Sequence, residues 1–390
     1  MTLRPNARAR AVADSVTLAI SAKAAELRRA GKDVVSLGAG EPDFPTPEPV
    51  AEAGVRAIQR GDTRYTPAMG TNELREAACT WFERTFGLRY ALPEVMVTAG
   101  AKPALHMALM SVLEPGDRVL LPAPYWVSYP DLIRVADGEP VVLPPAPEQG
   151  FVPTGAQIAA AAREHGARGL ILNFPGNPSG AVPSRQQMQE IVDAARAHDL
   201  WILSDEIYGT LIYEGDHVSP AALARERTMV VNGGSKSHTL TGWRVGFLAG
   251  PEEVIAAAGR VQSQVIGNPS AISQAAAVSA CLTDLSAELQ RRRTAYDQRR
   301  RFLVERINRI PGLHLRPPQG AFYALVDARE LLARLRIDDV ALCQRLLDEV
   351  YLATVPGTAF AIPGFVRLSF ATGMRELERA VERLERFVRG

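Results

Sequence analysis

"RGLILNFPGNPSG" (residues 168–180), "DLWILSDEIY" (199–208) and "RTMVVNGGSK" (227–236) share one pattern. Each is a short run of Val, Ile, Leu or Met that ends in polar residues a plain core does not require. Continuous apolar runs of this length, as opposed to alternating ones, read as parallel strands buried on both faces. The helix-like "RQQMQEIVDAARAHD" (185–199) separates the first two, and a shorter Ala-rich stretch precedes the third. Upstream, "VMVTAG" (95–100) runs as a strand into "AKPALHMALMSVL" (101–113), whose apolar residues recur at helical spacing. "DRVLLPAP" (117–124) and "EPVVLPP" (139–145) add two more strands. The alternation predicts an α/β fold with a mostly parallel sheet between helices.

The texture changes after Ser270. One long helical stretch, Ala271 to Ile310, leads to "GLHLRPPQGAFYALVDA" (312–328), "VALCQRLLDEVYLATVPGTAF" (340–360), "FVRLSFA" (365–371) and a last helix, 374–390. This predicts a smaller α/β domain with an antiparallel element, joined by the N-terminal segment through "DVVSLGAGEPDFPTP" (33–47). A chain of 390 residues exceeds the roughly 250–300 residues at which single cores stop growing, so two domains are expected. The expected division is 46–285 for the large domain, with 1–45 and 286–390 forming the small one.

The charge balance, 44 basic against 43 acidic residues, gives no electrostatic pull toward nucleic acid or a membrane surface. Arginines do cluster in "QRRRTAYDQRRRF" (290–302), but acidic residues flank them, and a solvated helix face is expected. Cys79, Cys281 and Cys343 are odd in number, far apart and in no CxxC pattern, so neither disulfides nor a metal site is expected. The first residues lack the apolar stretch of a signal peptide, and no apolar run nears the ~18 residues of a membrane helix. A soluble, cytoplasmic protein is the expectation.

Ligands of open α/β sheets bind beyond the carboxyl ends of the strands. Asn173 and Asn177, Asp205 and Lys236 follow successive strand ends, so they can meet in one crevice although far apart in sequence. Individually each has an ordinary structural role: an N-cap for Asp205, a turn for Asn177, a solvated cation for Lys236. Their joint placement favours a site. Gly233, Gly234, Ser235 and Ser237 around Lys236 would let backbone crowd a bulky ligand. The turn Gly100-Ala101-Lys102 opens a helix whose N–H groups can hold an anion. Lys102 is electrostatically unfavourable in that first turn unless an anion is its target, and Trp126 in "PAPYWVSYP" could stack on a flat ring.

Together "GAGEPDF", "TRYTPAMGTNELREA", "TAGAKPAL", "PYWVSYP", "NFPGNPSG", "SDEIY", "GGSKSHTLTGWRVG" and "VRLSFA" resemble the class I/II aminotransferases, pyridoxal-phosphate enzymes of fold type I. The resemblance runs from about Ala11 to the C-terminus and is nearest to the bacterial aspartate/prephenate subgroup. It implies a seven-stranded sheet and gives roles to individual residues. Lys236 would condense with the aldehyde of pyridoxal 5'-phosphate and later shuttle a proton. Asp205 would pair with the ring nitrogen, while Asn177 and Tyr208 would bond the ring oxygen, and Trp126 would stack. Gly100, Ala101, Lys102, Ser235 and Arg244 would hold the phosphate, with Tyr65 reaching in from a second subunit of a homodimer. Arg367 would clamp the substrate carboxylate, helped by the backbone at Gly40; the alternative is a surface arginine at a strand edge. A cis peptide at Asn177–Pro178 is also implied.

Lys102, by the same resemblance, would bind a distal carboxylate, so aspartate or glutamate is expected as donor and 2-oxoglutarate, oxaloacetate or prephenate as acceptor. Thr66 resembles the variant found in prephenate-accepting members. Val265 and Ile266 depart from the small polar run usual there, as do Gly176 and Phe370 from a common Asn and Tyr. They leave open an aromatic or aliphatic donor, or a non-transaminating reaction on the same cofactor. A non-catalytic binding protein would be marked by loss of Lys236 or Asp205, and both are present. A dinucleotide dehydrogenase would need a GxGxxG turn after its first strand.

Overall fold

Three sheets organise the chain, seen in a computed structural model that describes residues 3–12 and 16–390. After β1 (Val35–Ser36) come β2 (Val95–Thr98), β3 (Arg118–Pro122), β4 (Glu139–Leu143), β5 (Gly169–Asn173), β6 (Trp201–Asp205), β7 (Thr228–Asn232) and β8 (Gly246–Ala249). These last seven form one sheet in the order β2-β8-β7-β6-β5-β3-β4. β8 runs antiparallel to β2 and β7; the other pairings are parallel. The predicted fold is therefore present, with β8 as a strand the sequence reading did not separate.

Side chains alternate across this sheet, and each face has its own core. Leu170, Leu172 and Ile202 pack with Ile158, Met188 and Ile191 from helices Gly155–His165 and Arg185–Ala197. Ile171, Leu203 and Met229 pack on the opposite face with Leu105 and Ile255 from helices Ala101–Val112 and Glu252–Val265. Burial on both faces explains why the strands read as unbroken apolar runs.

Beyond the large sheet lie β9 (His314–Leu315), β10 (Tyr323–Asp327), β11 (Leu352–Ala353), β12 (Val355–Pro356) and β13 (Phe365–Ser369). Four of them form an antiparallel sheet in the order β12-β13-β10-β9, and β1 pairs in parallel with β11. The N-terminal segment thus meets the C-terminal part through backbone hydrogen bonds.

Two expectations need correction. The stretch from Ala271 to Ile310 is not one helix. It is divided into Ala271–Leu282 and Ser286–Ile307, where the Asp284 carboxylate accepts from the Ser286 N–H and starts the second helix. Nor are the clustered arginines a solvated face. Arg291, Arg293 and Arg301 are exposed, but Arg292, Arg299 and Arg300 are buried, at 4, 8 and 4% exposure. They escape the usual cost of buried charge because each meets carboxylates or carbonyls: Arg299 forks onto Asp43, and Arg300 bonds Asp297 and Glu214. Among the described residues no helix is long and apolar enough to cross a membrane.

Candidate active site

Register brings the polar strand ends together. Asn173 is paired with Asp205 across β5 and β6, and Asp205 with Val231 across β6 and β7. Lys236 follows four residues beyond the end of β7. A cavity of about 310 Å³ opens here, lined by Gly40, Lys102, Asn177, Lys236 and Arg367 among others. Ala101, Trp126, Asp205, Tyr208, Ser235 and Arg244 also line it.

Asp205 is nearly inaccessible at 4% exposure. Its carboxylate accepts from the Tyr129 hydroxyl at 2.8 Å and from the Ile207 N–H at 3.2 Å. Burial pushes its pKa up to about 6, against the opposing pull of these donors and of Lys236. Burial acts on Lys236 in the other direction, drawing its amine down to about 8 despite the nearby Glu41 and Asp205. The amine donates to the Gly40 carbonyl at 2.6 Å. Lowering the amine this far brings its neutral, nucleophilic form within easy reach just above neutral pH, where an ordinary lysine stays fully charged.

Arg367 occupies a central strand, not an edge: β13 lies between β10 and β12, and the residue is 3% exposed. Its guanidinium is stacked between the rings of Tyr323 and Phe360, at 4.6 and 4.9 Å. One Nη donates to Asn177 Oδ1 at 3.1 Å and the other to the Gly38 carbonyl at 2.7 Å. Its Nε, buried, has no partner. A buried cation with an unfilled donor and, among the described residues, no carboxylate paired with it is suited to an incoming anion.

The phosphate-type end is built from backbone. Gly100 adopts φ +106, and a Cβ there would lie 2.5 Å from Arg244 Nη2. It opens the helix Ala101–Val112, whose first N–H groups have no carbonyl one turn earlier to bond. Arg244, itself at φ +54, donates to the Thr241 carbonyl at 2.9 Å. Pyridoxal phosphate fits this donor set. An anion cradle, a buried carboxylate and an amine of lowered pKa surround one cavity, and Trp126 supplies a ring at its wall.

Twelve of the thirteen residues expected in the site meet at this cavity or, for Gly100, directly beside it. Tyr65, expected to reach a second subunit's site, stands away from this one: it is 97% exposed and lines a surface groove with Arg64, Ile266 and Asn268. Thr66 is also away from the cavity, its hydroxyl accepting from Asn268 and Gln274. Val265 is 62% exposed at the end of its helix. Asn177–Pro178 is cis, as are Ala123–Pro124 and Phe174–Pro175.

Sequence reading missed Tyr129 and Tyr323. The Tyr323 hydroxyl lies 2.8 Å from that of Tyr208, and a Cβ at Gly40 would sit 2.7 Å from it, so only glycine leaves room there. Helix Val16–Arg29 adds Thr17 and Ser21 to the cavity wall. The signal for Tyr129 was the second tyrosine of "PYWVSYP"; for Tyr323, inside an ordinary apolar strand, there was none.

Comparison with known proteins agrees with this geometry. The sequence profile of the family "Aminotransferase class I and II" matches residues 32–384. A probable aspartate/prephenate aminotransferase of Thermus aquaticus is 45% identical over 96% of this chain and 97% of its own. The aspartate/prephenate aminotransferase of Thermus thermophilus is 44% identical, with 97% of both chains covered. Among solved structures, the aspartate aminotransferase of Thermus thermophilus with maleate superposes with a TM-score of 0.94 at 43% identity, over 99% of this chain and 100% of that one. The aspartate aminotransferase of Rhizobium meliloti gives 0.95 at 40% identity, over 100% and 99%. The chain belongs to the class I and II aminotransferase family.

Proposed function

We propose that this aminotransferase takes its amino group from a dicarboxylic amino acid, aspartate or glutamate, and passes it to a 2-oxo acid such as 2-oxoglutarate. Prephenate is a candidate acceptor. Transfer between an amino acid and a 2-oxo acid is the family's reaction. The substrate assignment is carried by one observation. A buried arginine with an unfilled donor and a lysine that pairs with no carboxylate among the described residues, Arg367 and Lys102, line the same cavity. Two cations at separate points of one cavity suit a substrate with two carboxylates. The name of the Thermus thermophilus structure includes maleate, a dicarboxylate.

The family's members use pyridoxal phosphate, and we infer that this chain does too. When bound, that group supplies an aldehyde that takes up an amine and a ring that withdraws electrons from the substrate's Cα. Arg244, Ser235 and the N–H groups after Gly100 would hold its phosphate, and Asp205 would hold a proton at its ring nitrogen. Tyr208 and Asn177 would bond its ring oxygen, and Trp126 would cover its face. Arg367 binds and orients the α-carboxylate. Lys236 holds a proton at Nζ and moves it to and from the substrate carbon, which its lowered pKa allows. Phe360 and Tyr323, stacked on Arg367, keep water from that end.

The same proposal takes the working unit as a homodimer, with the exposed Tyr65 completing a neighbour's phosphate site, and places the enzyme in the cytoplasm. The chain would divide into a large domain, 46–285, and a small one from both ends. The apolar Val265 and Ile266 beside the Tyr65 loop favour a second reading, an aromatic or aliphatic donor. The relatives named above are aminotransferases, so a non-transaminating reaction draws no support. The deciding experiment mixes cofactor-loaded protein with single amino acids and follows loss of visible absorbance. Rapid loss with aspartate and glutamate supports the proposal. Loss only with phenylalanine or leucine would replace it with the second reading.

A further inference from the structure

The segment Gly38–Thr46 has no regular secondary structure, yet two of its carbonyls touch the key cations of the site. The Gly38 carbonyl accepts from Arg367 and the Gly40 carbonyl from Lys236. Backbone bonds reach only to Leu37, whose N–H donates to the Ala353 carbonyl at 2.9 Å and whose carbonyl accepts from the Ser369 N–H at 2.7 Å; past it, side chains tie the segment down. On helix Ser286–Ile307, Arg292, Tyr296 and Arg299 fall at i, i+4 and i+7, one stripe of the helix. That stripe grips the segment. Arg299 donates in a fork to Asp43, at 2.8 and 2.9 Å. Arg292 donates to the Pro45 carbonyl at 2.7 Å and to Thr239 Oγ1 at 3.0 Å. The Phe44 ring lies against both guanidinium groups, at 5.4 and 5.3 Å, and edge-on to Tyr296 at 5.3 Å.

Arg299 also donates to the Phe370 carbonyl at 3.4 Å, just past the strand that carries Arg367. Arg299 therefore adds a side-chain tie between the Gly38–Thr46 segment and the end of β13, beside the backbone bond from the Ser369 N–H to the Leu37 carbonyl. Arg292, Glu41 and Thr46 also reach Thr239 and Thr241, in the loop before Arg244, whereas the bonds of the Arg299–Asp43 pair go to Phe370 and not to Arg244 or Gly100.

We propose that Arg299 and Asp43 are positioning residues for the reaction: their forked pair sets the Gly38 carbonyl, and through it the Arg367 fork that receives the substrate carboxylate. This rests on Arg367 being the carboxylate clamp. A shift of about 1 Å in such a group is enough for a large loss of function.

The test uses Asp43→Asn and Arg299→Lys in the cofactor-loaded enzyme, with Arg367→Lys as reference. Maleate, an unreactive dicarboxylate, is titrated by absorbance, and retention of pyridoxal phosphate is measured on dialysis. We expect each variant to weaken maleate and raise KM for the amino donor about tenfold, with cofactor retention unchanged and kcat within about threefold. The double variant should be no worse than the worse single one, because both break one pair. Unchanged maleate binding in Arg299→Lys and Asp43→Asn overturns the inference, provided Arg367→Lys weakens it. Unchanged binding in Arg367→Lys as well would overturn the carboxylate-clamp reading itself. Parallel loss of maleate, cofactor and melting temperature would show a structural staple and also overturn it. Phe44→Leu, which loosens the same segment and leaves the ion pair, carries the test if a charge variant fails to fold; failure of all three to fold counts against positioning.

Discussion

Replacing Lys102 by alanine separates binding of a second carboxylate from general damage. The Lys102 ammonium lies 4.9 Å from the centre of the Trp126 ring, on the cavity wall, and burial holds its pKa below the ordinary value, helped by Arg244. An ammonium and a carboxylate about 4 Å apart attract by about 4 kcal/mol at an effective dielectric near 20. Part of the Lys102 side chain is in water, so roughly half of that attraction should survive, about 2 kcal/mol. That corresponds to about thirtyfold in kcat/KM. Donors without a distal carboxylate, alanine or phenylalanine, never use the contact and should change by less than about threefold. The assay is the single-turnover half-reaction, followed by visible absorbance, with aspartate, alanine and phenylalanine on both proteins. A uniform loss across the three donors would refute the reasoning, because it would mean that Lys102 serves the cofactor or the fold and not the substrate's far end.

Three further outcomes follow from the geometry. Lys236 has its pKa lowered from 10.5 to about 8, a folding penalty of roughly 3 kcal/mol. The unfolded chain binds that proton more tightly, so the penalty is complete below pH 8 and fades as pH rises to 10.5. Denaturant titration of the cofactor-free protein should therefore show Lys236→Met gaining stability at pH 7 and losing that advantage by pH 10.5, while all turnover is abolished. Gly100→Ala, with its Cβ 2.5 Å from Arg244 Nη2 at φ +106, should speed loss of pyridoxal phosphate on dialysis about tenfold or more, given a strain of about 1–3 kcal/mol; retention equal to the parent would contradict the cradle. Tyr323→Phe removes the hydroxyl beside Tyr208 but leaves the ring on Arg367. Steady-state kinetics should show kcat lower by about three- to tenfold and KM for the donor unchanged.

The strand ends were legible because parallel register turns sequence into position. Asn173, Asp205 and the approach to Lys236 each close an apolar run, and adjacent parallel strands bring such ends side by side whatever the intervening distance. Lys102 could be read from its misfit with a helix start. Arg367 was harder: "FVRLSFA" permits an edge or a centre, and only the order β12-β13-β10 decides. The arginine cluster misled because composition and flanking charge report on solvent, while the spacing of Arg292, Tyr296 and Arg299 reports on a face. Read by spacing, the stripe is present in the sequence. Its partner, a loop about 250 residues upstream (Asp43 to Arg299 is a separation of 256), is not. Tyr323 illustrates the remaining limit: a tyrosine in an apolar strand is core by every local rule, and its hydroxyl matters only because Tyr208 comes to meet it.

The site also concentrates what the rest of the fold avoids. Asp205 and Arg367 are buried and Lys236 is partly so, and in each case burial pushes the group toward its neutral form. Buried charge is normally removed by pairing, as Arg299 and Arg300 do elsewhere on their helix. Here the pairing is left incomplete. Lys236 has a carbonyl as its hydrogen-bond acceptor, and Arg367 has an amide oxygen, a carbonyl and an unpartnered Nε. Such groups lower the stability of the ligand-free protein and recover that loss when an aldehyde, a ring nitrogen and a carboxylate arrive. Stability and function are therefore opposed at these three positions and aligned at Asp43 and Arg299, where a completed pair holds the incomplete ones in place. Substitutions at the first set should stabilise the empty chain while destroying turnover. Those at the second should weaken substrate binding with no gain in stability.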